Sequence, residues 1–106
     1  MAASDDLAER VRTRMSHLEG LTERPVMNGL GFFVDDRMAI AVLDDRLCLW
    51  VGDTEGGVAL TNTAAIPFEF AGRAVEGWVC IPEDSLDEAS LAGWVARGAA
   101  NLGLSV

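Results

Sequence analysis

Apolar residues at Leu7, Val11, Met15 and Leu18 recur at spacings of four, four and three. That period predicts one face of an amphipathic helix over residues 4–19. Ser4 stands where a cap belongs, Asp5 and Asp6 complement the positive end of the helix dipole, and Gly20 supplies a stop. Arg10, Arg12 and Arg14 fall off the apolar stripe.

Beyond Pro25 the pattern changes to short apolar runs separated by tight polar pairs. Val26 and Met27 suggest a short strand. Asn28-Gly29 favours positive φ and marks a turn or bulge. Leu30 to Val34, Met38 to Leu43 and Arg46 to Val51 read as strands. Asp35-Asp36 and Asp44-Asp45 supply the turns between them, which describes an antiparallel meander. These runs are more continuously apolar than strict alternation, so the central strands are covered on both faces or await a partner.

Asp53 as a cap predicts a short, glycine-weakened helix over 54–62. Pro67 to Phe70 is the next strand, Ala71-Gly72 a hairpin turn, and Arg73 to Ile81 a longer strand interrupted by Gly77. Pro82 ends it. Ser85 followed by Glu88 reads as a capping box. Leu86, Leu91, Trp94, Val95, Gly98 and Leu102 then trace a helical face towards the C-terminus. The expected fold class is α+β: two layers, a five-stranded antiparallel sheet and flanking helices mainly on one face, in the order αβββαββα. One domain spanning 1–106 is expected.

The chain has 106 residues, half of them apolar, so its bulk is not disordered. No apolar run approaches a membrane span, and the acidic start does not resemble a secretory signal. Seventeen acids against eight bases give a net charge of -9. Every base is arginine; lysine, tyrosine and glutamine are absent. Charge of this sign repels a phosphate backbone, so direct nucleic-acid binding is not expected. The arginines of the first helix, flanked by Asp5, Asp6, Glu9, Glu19 and Glu23, read as a salt-bridged solvent face.

Candidate chemistry is sparse. His17, the sole histidine, suits a helix C-terminal cation better than a catalyst. The paired aspartates suit turns better than metal sites, which need several oxygens converging from a shaped loop. No nucleophile, zinc-protease, phosphate-loop or dinucleotide motif is present. No catalytic residue, cofactor or metal is therefore expected. Cys48 and Cys80 sit inside apolar runs, which favours buried thiols in a reducing cytoplasm. A redox pair would require them on neighbouring strands with a short Cα separation. Phe32 and Phe33 must point to opposite faces of their strand, so one of them meets a helix or the outside. An exposed one would mark a partner surface.

Two segments carry a family resemblance. The first is Val26-Met27-Asn28-Gly29-Leu30-Gly31-Phe32-Phe33-Val34, followed by an acidic turn and Met38-Ala39. The second runs from Pro67 through Gly72-Arg73-Ala74-Val75-Glu76-Gly77-Trp78-Val79 to an acidic loop and Leu91-Ala92-Gly93-Trp94-Val95. Together, over about 7–103, they resemble the TfoX N-terminal domain family. Asn28 stands where the family usually has glycine, and Ala74 and Glu76 where proline and lysine are common. No second domain of that family is expected to follow.

The resemblance implies a secretion-chaperone-like α+β fold and an association with competence and transcription regulation. It carries over no catalytic residue. Gly29, Phe33, Arg73, Gly77 and Trp78 are the candidate motif positions. Their expected roles are structural: Gly29 permits a bulge, Arg73 follows the hairpin turn, and Trp78 packs under a helix. The favoured function is a small cytoplasmic regulatory or protein-interaction module, with an unidentified protein partner and a homodimer left open. The alternatives are a nucleic-acid-binding regulator, and an enzyme or small-ligand receptor with an anionic ligand between sheet and helix near Arg73 and Trp78.

Overall fold

A computed structural model describes residues 4–27, 29–52 and 64–104. Helix α1 (Asp5–Met15) is capped by Ser4, whose hydroxyl accepts from the Leu7 amide at 3.2 Å. The Ser4 amide donates to the Asp44 carbonyl at 2.6 Å, which ties the start of the helix to a turn of the sheet. The helix ends at Met15 rather than continuing to 19. Leu18 instead folds back on the core as the chain reverses, and its amide donates to the Met15 carbonyl.

Six antiparallel strands follow: β1 (Leu21–Val26), β2 (Gly29–Val34), β3 (Arg37–Leu43), β4 (Arg46–Trp50), β5 (Ile66–Phe70) and β6 (Arg73–Pro82). Their order across the sheet is β1-β2-β3-β4-β6-β5. Among the described residues the count is six where five were expected. The additional strand is β1, an edge strand with Thr22, Glu23, Arg24 and Pro25 exposed. A strand buried on neither face carries no apolar alternation, and Pro25 is tolerated because the edge needs no donor there. The helix expected over 54–62 lies outside the described residues.

The hairpins follow the chemistry of their turns. Asp35 and Asp36 have φ of 51° and 67°, and Ala71 and Gly72 have 55° and 79°. Positive φ at both central residues matches the right-handed strand twist. Asp44 (φ 55°) and Met27 (φ 48°) turn the other two hairpins.

After β6 a 3-10 turn (Glu83–Ser85) leads into helix α2 (Glu88–Ala100). The capping box expected at Ser85 is not formed. Ser85 closes the 3-10 turn, buried Leu86 follows, and extended Asp87 is the cap. The Asp87 carboxylate accepts from the Ser90 amide at 2.8 Å. Anchoring Leu86 in the core moves the helix start two residues on.

Both described helices lie on one face of the sheet. Leu7, Val11 and Met15 of α1 and Leu91 and Val95 of α2 pack on Phe32, Ile40, Val42, Leu47, Leu49, Val79 and Ile81. Each of these is shielded from solvent. No described helix is long and apolar enough to cross a membrane.

Candidate interaction surface

Strand alternation sends the remaining side chains to the opposite face, on which no described helix packs. Phe33, Met38, Ala41, Leu43, Cys48 and Trp78 lie there. With Val26, Met27 and Phe68 they line an apolar trough of about 450 Å³. A second hollow of about 500 Å³ shares Met27, Leu43, Cys48 and Phe68. It adds Asp44, Arg46, Ile66, Glu69, Phe70 and Cys80. The two form one groove across the sheet, apolar at one end and charged at the other.

Among the described residues, three large apolar side chains stand out into solvent: Met27 is 63% exposed, Phe70 58% and Trp50 46%. Met27 and Phe70 border the groove, and Trp50 pairs with Trp78 across β4 and β6. Scattered exposed apolar residues are ordinary; Met27 and Phe70 beside a concave apolar floor form a patch.

Phe32 and Phe33 divide as expected. Phe32 is fully buried beneath the helices, and Phe33 is half-buried in the groove. The Arg24 guanidinium covers the Phe33 ring, 3.9 Å from its centroid, and reaches Asp36 at 3.6 Å. Gly31 allows this arrangement: a β-carbon there would lie 2.7 Å from Phe33 Cε1.

The other motif positions resolve differently. Trp78 does not pack under a helix. It faces the groove, half-buried, with its ring 6.0 Å from that of Phe68. Gly29 does not form a bulge; the register shift of β2 lies between Phe32 and Phe33. Gly29 is instead a close approach, since a β-carbon would lie 2.1 Å from the Val42 carbonyl oxygen. Gly77 interrupts β6 with φ of 84°, a conformation that suits glycine. Its carbonyl accepts from the amides of Val51 and Gly52 at 2.7 and 3.2 Å. Arg73 follows the Ala71-Gly72 turn and is exposed there, and it is not among the residues lining the groove. The cavity expected between sheet and helix near Arg73 and Trp78 therefore lies on the opposite face, without Arg73.

The arginines of α1 are engaged by acids. Arg12 donates to both carboxylate oxygens of Glu23, at 2.6 and 2.8 Å, and pairs with Glu9. This pairing holds the Glu23 carboxyl below its ordinary range and the Arg12 guanidinium above its own. Arg10 donates to the Leu86 carbonyl at 2.7 Å and to Glu88 at 3.2 Å. Arg14 donates to the Glu88 carboxylate at 2.9 Å. The two arginines lower the Glu88 pKa, and the Ser90 amide lowers that of Asp87. Among the described residues no three His, Cys, Asp or Glu side chains converge as a metal site would require. His17 is exposed after α1.

Two residues acquire a relationship that the buried-thiol reading missed. Cys48 and Cys80 are direct partners across β4 and β6, with Cα atoms 4.1 Å apart, and are joined by a disulfide. The similar apolar flanks Leu47-Cys48-Leu49 and Val79-Cys80-Ile81 were the available signal, but they do not reveal which strands pair.

No curated protein and no solved structure matches the chain. The sequence profile of the TfoX N-terminal domain matches residues 13–102. That span holds the whole sheet and helix α2, and with it the chain belongs to the TfoX N-terminal domain family.

Proposed function

We propose that this chain is a non-catalytic, cytoplasmic, regulatory interaction module that binds a protein partner through the face of its sheet on which no described helix packs. The observation that carries the reading is the groove bordered by exposed Met27 and Phe70. Apolar side chains held in solvent around a concave floor gain free energy when a partner covers them. The family's association with competence and transcription regulation supplies the setting. The pairing of Arg10, Arg12 and Arg14 with Glu9, Glu23 and Glu88 favours a protein partner over nucleic acid.

The test is affinity capture from host lysate, with and without nuclease, comparing the wild type with Met27→Ser/Phe70→Ser. The reading expects a nuclease-resistant partner that the double variant loses. A partner retained by the variant, or lost on nuclease treatment, overturns it. A second copy of the chain is one candidate, and sedimentation of the same two proteins reads that case directly.

A second reading, a receptor for a small apolar molecule, rests on the trough lined by Phe33, Met38 and Trp78. A thermal-shift screen in which no apolar compound stabilises the protein argues against it.

A further inference from the structure

We propose that Cys48 and Cys80 form a reversible dithiol–disulfide site that exchanges with low-molecular-weight thiols and controls how firmly the two parts of the sheet are joined. The proposal does not depend on the interaction reading above.

Position is the first argument. Strands β1 to β4 are a meander in which each strand pairs with the next, and β5 and β6 are a hairpin. Among the described strands the two units meet only along β4 and β6. Cys48 and Cys80 stand opposite each other in the middle of that pairing, between Leu47–Ile81 and Leu49–Val79. Their sequence separation is 32. A Cα distance of 4.1 Å suits a non-hydrogen-bonded antiparallel pair, in which side chains approach most closely. Bond formation therefore requires the strands to be paired but needs little further movement.

Access is the second argument. Alternation puts this bond on the face where no described helix packs, in the floor of the groove. Cys48 borders both hollows and Cys80 one. Cys48 is 1% and Cys80 2% exposed, so exchange requires the groove side chains to part, which a small thiol needs to a lesser extent than a protein thiol.

The exchange balances in two steps. The thiolate of an entering thiol of the glutathione class attacks Cys48 Sγ. A mixed disulfide forms, the Cys48–Cys80 bond breaks, and the electron pair passes to Cys80 Sγ, which takes a proton from water. A second thiolate attacks the sulfur of the bound thiol. Cys48 leaves as a thiolate and is protonated, and the external disulfide is released. Two electrons and two protons reach the protein, and the reverse sequence restores the bond.

Opening the bond returns the entropy of a long loop to the unfolded chain and leaves β4 and β6 joined by their ladder and by the core packing of Leu47, Leu49, Val79 and Ile81. The oxidised protein is then the firmly joined form and the reduced protein the loosened one.

The test uses the whole chain, folded, without denaturant. Samples are brought to equilibrium without oxygen across a series of reduced-to-oxidised glutathione ratios, starting from both the oxidised and the reduced protein. They are then acid-quenched, unfolded, alkylated with a maleimide and weighed by intact mass. The expected result is a coincident passage from zero to two adducts as the ratio rises, from either start. Thermal midpoints should fall with it, by on the order of 15–20 °C between the end states. Cys48→Ser/Cys80→Ser should melt like the reduced protein and ignore the ratio. If that variant does not fold, the labelling of the wild type decides alone. Reduction only after unfolding would make the bond a static staple and overturn the proposal. Two adducts at every ratio, or equal midpoints for the two end states, would overturn it as well.

Discussion

Gly98 of α2 lies against Ile40 of β3 with no room for a side chain: a β-carbon on Gly98 would meet Ile40 Cγ1 at 2.5 Å and the Ala39 carbonyl oxygen at 2.9 Å. The helix reaches the sheet because this position is empty. Gly93, on the same helix, has nothing within 4 Å of such a carbon.

These two glycines predict opposite signs. Alanine at either gains about 1 kcal/mol of helix propensity. At Gly98 the backbone oxygen cannot yield as a flexible side chain would, and overpacking costs about 1–3 kcal/mol. Gly98→Ala should therefore destabilise by up to about 2 kcal/mol, and Gly93→Ala should stabilise by up to about 1 kcal/mol. Urea unfolding of both variants checks the pair. Equal shifts would mean that the helix does not approach the sheet this closely.

The start of α2 gives a second matched comparison. Asp87 accepts from the Ser90 amide, whereas Ser85 makes no side-chain cap bond to the helix. Asp87→Ala should cost about 1 kcal/mol, as lost caps do. Ser85→Ala should stay within about 0.5 kcal/mol of the wild type. Thermal or urea midpoints distinguish them, and the reverse order would restore the capping box at Ser85.

Acid stability should depend on the carboxylates that face the arginines. Glu23 and Glu88 are depressed below an ordinary value of 4.5 by Arg12 and by Arg14 with Arg10, and Asp87 below 3.8 by the Ser90 amide. A depressed group stabilises the fold while it is ionised in both states. The unfolded chain takes up its proton first as pH falls, so stability is complete above the ordinary value and is lost as pH falls towards the folded one. The melting temperature should be flat above about pH 5.5 and fall steadily below about pH 4.5. Glu23→Gln should lower the plateau slightly and flatten the fall. A fall as steep as that of the wild type would remove Glu23 from this role. The groups are exposed, so salt should weaken the dependence.

What the sequence determined by itself is local. The stripe Leu7, Val11, Met15 produced α1. The paired aspartates and Ala71-Gly72 produced hairpin turns because positive φ is a property of a few adjacent residues. The opposite orientations of Phe32 and Phe33 followed from strand geometry alone. The family was legible because its motif residues occur in a fixed order. Edge strand β1 was only partly legible, at Val26, since a strand exposed on both faces needs no apolar pattern. Asp87 displaced Ser85 as the cap because burial of Leu86 decided where the helix begins.

Tertiary structure decided the rest. Alternation tells which residues of a strand share a face, but not which face the helices take. That choice sent Trp78 to the open groove rather than beneath a helix. Nor does alternation tell which distant strands pair. Pairing of β4 with β6 depends on closing a long loop against the entropy of the chain, and it is repaid only when the whole core assembles. That non-local step set Cys48 opposite Cys80, and made two separate apolar runs into the floor of one groove.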